Sequence, residues 1–151
     1  MIRVVAVGRK HEDWVEPGIS RYEKRLRQPW NVRWDLVPHS SLREDLARSH
    51  ESEALLSRLN SDDFVILLDE IGKSLDSPAL SNLIEDQFNH SKTPCFVVGG
   101  AYGVDERLHK RADMVLSLSK LVLPHQLVRL VLIEQIYRAE QIAKGSDYHH
   151  K

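Results

Sequence analysis

Five short apolar runs, separated by segments with helical spacing, restrict this chain more than any other feature. Ile2–Val7 is almost wholly β-branched or small and apolar, as a strand covered on both faces must be, and it ends at Gly8. Phe64–Leu68 and Cys95–Val98 are continuous apolar runs of the same kind, and Met114–Leu118 reads as a further strand. Val32-Arg33-Trp34-Asp35-Leu36 alternates with period two instead, the pattern of an edge strand with one wet face. Between these runs the period lengthens. Asp13 to about Arg27 reads as a helix with Trp14, Ile19, Tyr22 and Leu26 toward the core, which Pro17-Gly18 kinks or delays. Ser41-Leu42-Arg43-Glu44 has capping-box spacing and is expected to open a helix running to about Leu59. Asp76-Ser77-Pro78 starts a helix that buries Leu80, Leu83, Ile84 and Phe88, and Val104–Lys110 forms a short one. The last helix runs from Pro124 to about Lys144, with Gly145 as its C-cap. Strands alternating with helices predict an α/β fold on a mostly parallel sheet, as one unit over residues 1–151.

That last helix carries more apolar surface than one sheet covers. At about 100° per residue, Val128, Val131, Leu132, Ile136, Ala139, Ile142 and Ala143 make one broad arc. Leu130, Ile133 and Tyr137 make a second, narrow arc, with Arg129 and Glu140 between the two. Leaving the narrow arc wet would forgo roughly 5 kcal/mol, at about 1.5–3 kcal/mol per side chain. The expected solution is a homodimer built around this helix.

Charge and cysteine content exclude several classes of function. The net charge of −1 gives no general attraction to nucleic acid or anionic lipid, although residues 1–33 hold eight Lys/Arg against four Asp/Glu. Arg21, Lys24, Arg25 and Arg27 form a local basic patch that suits a phosphate backbone. A single cysteine, Cys95, rules out an internal disulfide and a cysteine zinc cluster, and the histidines are too scattered for a metal site. No apolar stretch approaches the ~20 residues of a membrane helix, and a cytosolic location is expected.

Most familiar nucleotide motifs fail. Ile71-Gly72-Lys73-Ser74 looks like the tail of a P-loop, but Leu67 stands where its first glycine belongs. Gly100 and Gly103 fit the end of a dinucleotide fingerprint whose first position is Val98. What survives is a late strand ending in Gly99-Gly100, followed by an apolar segment, Leu116 to His125. Adjacent glycines let a ligand approach bare main chain, and the second segment would wall in a flat, partly apolar molecule. Together the two segments read as one pocket.

These segments also carry a resemblance. Leu68-Asp69, Gly72-Lys73, Val98-Gly99-Gly100-x-x-Gly103, Leu116-Ser117-Leu118-Ser119-Lys120, Leu123-Pro124-His125-Gln126-Leu127-Val128-Arg129, Glu134-Gln135-x-Tyr137-Arg138-Ala139 and Tyr148-His149 occur in order along the whole chain. In this the sequence resembles the ribosomal RNA large subunit methyltransferase H family of the SPOUT superfamily. The resemblance implies an α/β knot with a C-terminal trefoil, S-adenosylmethionine as cofactor, and a homodimer. It implies methylation at N3 of the helix 69 loop pseudouridine of 23S rRNA, within the assembled ribosome. The alternative is a non-catalytic ribosome-associated α/β factor that has lost the cofactor.

On the same basis the cofactor contacts fall on Leu68, Gly99, Leu118, Ser119, Lys120, Leu121, Val122 and Leu123. The N3–H of the acceptor must lose its proton before or during attack, which calls for a base or an anion-stabilising cation. His125 and His149 are the candidate bases, Arg129 the cation, and Tyr148 a residue to stack on or hydrogen-bond the target base. His150 stands where a fixed positive charge is expected.

Overall fold

The computed structural model describes residues 1–150, and Lys151 lies outside the described residues. Five strands, β1 (Ile2–Val7), β2 (Val32–Val37), β3 (Asp63–Ser74), β4 (Thr93–Val98) and β5 (Met114–Ser117), form one sheet in the order β2-β1-β4-β3-β5. Every neighbouring pair is parallel. Helices α1 (Glu16–Glu23), α2 (Glu44–Leu56), α3 (Ser77–Asn89), α4 (Glu106–Arg111) and α5 (His125–Ala143) cover both faces. The alternation within β1 divides the core. Ile2, Val4 and Ala6 pack with Ile19, Ile84, Leu132 and Ile136 of α1, α3 and α5, whereas Val5 and Val7 pack with Leu55 and Leu108 of α2 and α4.

The two ends of the sheet do different work. At the N-terminal ends of the strands Arg3, only 7% exposed, pairs with Asp63 at 2.5 Å and lies 3.6 Å from Asp35. This buried ion cluster ties β1, β2 and β3 together. The C-terminal ends are left for loops, the usual seat of a ligand in an open α/β sheet. Cys95 is fully buried and its thiol is pushed up to about 12, first by burial, which leaves it inert.

Four local expectations change. The first helix starts later and ends earlier, at Glu16–Glu23, with Pro17 in its first turn. Trp14 therefore sits in the preceding turn, 57% exposed with its indole N–H donating to Glu12, and Val15 takes the buried position. The capping box does not form: Glu44 has φ +51°, Arg43 is the cap without a side-chain bond, and the Ser40 hydroxyl accepts from Leu42 N–H. By contrast Asp76 caps α3 as expected, accepting from Ala79 N–H at 2.8 Å.

The strand begun by Phe64–Leu68 does not stop at Leu68. Leu68 and Lys73 both pair with Leu116, so Asp69–Gly72 loop out between them as a bulge. Gly72 is required there, since a Cβ would lie 2.7 Å from the Val115 backbone.

The two-arc division of α5 also fails, and with it the dimer argument drawn from it. The narrow arc is covered by α1 of the same chain. Leu130 packs directly against Gly18, Ile133 is fully buried, and Tyr137 meets Tyr22 at 5.7 Å between ring centroids. The buried stripe of α5 is Gln126, Arg129, Leu132, Ile133, Ile136, Ala139 and Glu140, so two charged residues lie inside it. Glu140 is matched by the Arg27 backbone N–H at 2.8 Å and Lys144 at 3.3 Å.

Candidate active site

The glycine segment and the apolar segment meet at one open cavity above the C-terminal ends of β3, β4 and β5, about 690 Å³ when the solvent space at its mouth is included. One wall is the main chain of Gly99, Gly100 and Gly103, where the Gly103 N–H donates to Gly100 O at 3.0 Å in a tight turn. Gly103 has φ +75°, which suits glycine. The apolar surfaces are Leu68, Val104, Leu118, Leu121, Leu123 and Val128. The β3 bulge delivers Asp69 and Glu70 to the rim. Asp69 is fixed by accepting from Ile71 N–H and lies 3.4 Å from the His109 ring of α4.

The apolar loop holds its shape through its own hydroxyls. The Ser117 hydroxyl donates to Ser119 O at 2.9 Å, and the Ser119 hydroxyl accepts from Leu121 N–H at 3.0 Å. Pro124 then breaks the loop and starts α5, which brings His125 into the cavity wall.

Of the residues expected to contact a cofactor, Leu68, Gly99, Leu118, Ser119, Leu121 and Leu123 line the cavity together. Lys120 and Val122 do not, and Val122 is 79% exposed. Asp69 and Glu70 were missed by sequence reasoning, which ended the strand at Leu68. Their carboxylates beside the apolar walls suit a flat ligand that carries hydroxyls and positive charge.

The expected catalytic residues fall in three places. His125 is in the cavity wall. Burial lowers its affinity for a proton, and His39 and Arg129 add to that against weaker pulls from Glu12 and Glu51. Its imidazole is therefore held neutral, the form a base needs. Arg129 is one turn on but is not brought into the lining. It is fully buried, donating to Val7 O at 2.7 Å, Gly8 O at 3.0 Å and Lys10 O at 3.0 Å. No carboxylate pairs with it among the described residues.

Tyr148 and His149 lie far from His125. The tail folds back on α5, with the Tyr148 hydroxyl donating to Glu134 at 3.2 Å and its ring 4.9 Å from that of Tyr137. Arg138 stacks on Tyr148 at 4.9 Å and meets the His149 ring at 3.2 Å. His125 and Glu134 stand nine positions apart on α5, roughly 13 Å along the axis. The Tyr148 hydroxyl is pushed up to about 12 by burial and by Glu134 and Tyr22, so it stays protonated and donates.

Among the described residues no cluster of His, Cys, Asp and Glu is placed to hold a metal ion, and no helix is long and apolar enough to cross a membrane.

Known sequences resemble this chain along its length. Residues 1–149 match the family model described as "Predicted SPOUT methyltransferase". The chain is 39% identical to the ribosomal RNA large subunit methyltransferase H of Christiangramia forsetii, over 99% of both chains. It is 39% identical to that of Leuconostoc citreum over 98% of both, and 36% identical to that of Pseudothermotoga lettingae over 99% of both. A parallel α/β sheet with a glycine-walled cavity at its C-terminal end and this full-length similarity give one conclusion: the chain belongs to the SPOUT methyltransferase family, alongside the ribosomal RNA large subunit methyltransferase H proteins.

Proposed function

We propose that this protein is an S-adenosylmethionine-dependent methyltransferase of large-subunit ribosomal RNA, acting in the cytoplasm on the N3 position of the helix 69 loop pseudouridine within the assembled ribosome. The observation that carries the reading is the cavity itself, which sets an imidazole held neutral beside a glycine-walled, partly apolar recess. S-adenosylmethionine, when bound, supplies a methyl group on a positively charged sulfur.

The residues divide the remaining work. Gly99, Gly100 and Gly103 offer main chain to the edge of an adenine, while Leu68, Leu118, Leu121 and Leu123 cover its faces. Asp69 and Glu70 face the hydroxyls and positive charge of the donor. His125 takes the proton from the acceptor nitrogen, which then presents a lone pair in line with the methyl carbon. Arg129 holds the loop after β1 beside His125 and disfavours a proton there. The Leu118–Leu123 loop is also the segment that the implied trefoil would wrap around the cofactor.

The active unit is a homodimer in this reading, for a reason different from the arc argument. Tyr148 and His149 are displaced along α5 from the cavity of their own chain, so they reach a substrate only at the cavity of a second copy. Leu121 of the cavity wall, its neighbour Val122 and Tyr102 of the glycine turn are exposed at 75%, 79% and 46%, an apolar surface for that copy to cover. The basic residues Arg21, Lys24, Arg25 and Arg27 are all exposed, and a dimer doubles the patch they make.

Two measurements test this. In a strain lacking the protein, mass analysis of ribosomal nucleosides is expected to show one methylated pseudouridine lost, and restored with the gene. An unchanged nucleoside profile overturns the reading and favours a non-catalytic ribosome factor, as would failure to bind S-adenosylmethionine by calorimetry. Mixing a His125→Gln protein with one lacking residues 146–151 is expected to recover about a quarter of wild-type turnover. About half the dimers are then mixed, and each has one of two sites intact. No recovery would place the tail in its own chain's site.

A further inference from the structure

Glu51 is a buried acid outside the cavity lining, and the reading above gives it no task. It lies on α2 with a side chain 5% exposed. Its Oε2 accepts from Ser40 N–H at 2.9 Å, while Oε1 is buried with no hydrogen-bond partner. That bare oxygen sits under the glycine loop, since a Cβ on Gly100 would lie 2.7 Å from it. A carboxylate offers about four acceptor positions, and leaving most of them empty in the interior is costly unless a cation completes the site.

His39 is placed to balance this charge from the side of the other oxygen, Oε2. Its Nδ1 is 3.8 Å from Glu51 Oε2, and a protonated ring needs to close that distance by only about 1 Å to form a charge-assisted bond. Its ring is half-exposed in a second groove, at the ends of β1 and β2, with Gly8, Arg9, Lys10, Glu12, Pro38 and Gln126. The same ring meets His125 edge-on, 5.7 Å between centroids. His125 in turn lines the cofactor cavity. A continuous line thus runs from cavity to His125, to His39 over Glu51, and out through the groove.

We propose that His39 and Glu51 are positioning residues for the proton: His39 accepts the proton that His125 has removed from the acceptor nitrogen and releases it to solvent through the groove, while Glu51 holds and balances it. This rests on the methyltransferase reading. The step balances as follows. The acceptor N–H bond breaks and its proton goes to His125. The electron pair left on nitrogen forms the bond to the methyl carbon, and the sulfur–carbon bond breaks with its pair on sulfur. The products are a methylated base, a neutral thioether and one proton, and this last is what His39 exports. Burial, His39 after β2 and the buried Arg129 on α5 weaken the hold of His125 on that proton, against Glu12 after β1 and Glu51 on α2, with Asp69 and Glu70 across the cavity.

Multiple-turnover methylation of ribosomes by a His39→Ala protein tests the role. The rate is expected to fall about tenfold, a modest share of the usual gain from positioned proton transfer, with cofactor affinity by calorimetry unchanged. Added imidazole, which the open groove admits, is expected to restore it. A His39→Gln protein provides the same test with the side-chain volume kept. In the cofactor-free protein, the His125 titration followed by NMR is expected to move up in His39→Ala and down in Glu51→Gln. A wild-type rate in His39→Ala, a slow rate indifferent to imidazole, or a His125 titration unmoved by both changes overturns the proposal. A wild-type protein that transfers no methyl group overturns the underlying reading, and this role with it.

Discussion

A His125→Gln protein is expected to transfer methyl groups to ribosomes about 100- to 10,000-fold more slowly than wild type, the usual loss when a positioned base is removed. Its affinity for S-adenosylmethionine is expected to stay unchanged, because the glycine wall and the leucines do the holding. Glutamine keeps the volume and a hydrogen-bonding end but takes up no proton. The pH dependence has a definite sign. Burial, His39 and Arg129 lower the His125 affinity for protons, so the neutral form persists below the ordinary histidine range near 6.5. Wild-type turnover is therefore expected to hold at pH 6.5 and to decline only at lower pH, as the imidazole charges. Turnover that is already half lost well above pH 6.5, or a His125→Gln protein that works at the wild-type rate, would remove His125 from the chemistry.

Arg129→Ala is expected to destabilise the protein by about 3 kcal/mol or more, measured from denaturant midpoints. Two effects compete here. A buried guanidinium without a carboxylate is costly to desolvate, and taking it away relieves that cost. Against this, Val7, Gly8 and Lys10 each give a carbonyl to its fork, at 2.7–3.0 Å, and would lose a charged donor at once. An empty volume the size of an arginine side chain adds to the loss. The carbonyls and the cavity outweigh the desolvation term, because hydrogen bonds to charged groups contribute about 1.5–3 kcal/mol each. Arg129→Met refills the volume without donors and is expected to fall between wild type and alanine. A loss below about 1 kcal/mol for Arg129→Ala would mean that the loop after β1 does not depend on this side chain.

What the sequence disclosed follows the reach of each signal. Signals spanning a few residues read well where the local competition was one-sided: the runs Ile2–Val7 and Cys95–Val98 are strands, Asp76 is a cap, and Gly145 follows α5 with φ +71°. The Ser41–Glu44 capping box failed because Glu51, eleven residues after Ser40, holds the Ser40 backbone and the chain turns through Glu44 before the helix begins. Periodicity along α5 identified an amphipathic helix but misjudged its faces. An arginine and a glutamate inside the buried stripe are satisfied by loops more than a hundred residues away, at Lys10 and Arg27, which no local pattern carries.

The site was legible in a similar way. Glycines after β4 and a Leu-Pro-His step before α5 mark two walls of one cavity, because both lie at strand ends. The third wall, Asp69 and Glu70, depends on β3 pairing twice with Leu116, a register that sequence alone does not reveal. The tail was recognised by resemblance as Tyr148-His149, but its position against Glu134 and Arg138 is a tertiary fact.

The central claim is that this cavity serves methyl transfer to RNA presented by an assembled ribosome. Incubating the purified protein with methyl-labelled S-adenosylmethionine and ribosomes that lack the modification tests it directly, with naked RNA fragments as the parallel substrate. The expected result is label on one pseudouridine of the large-subunit RNA in ribosomes and little on fragments. Ribosomes that stay unlabelled, or fragments labelled as readily as ribosomes, would contradict it.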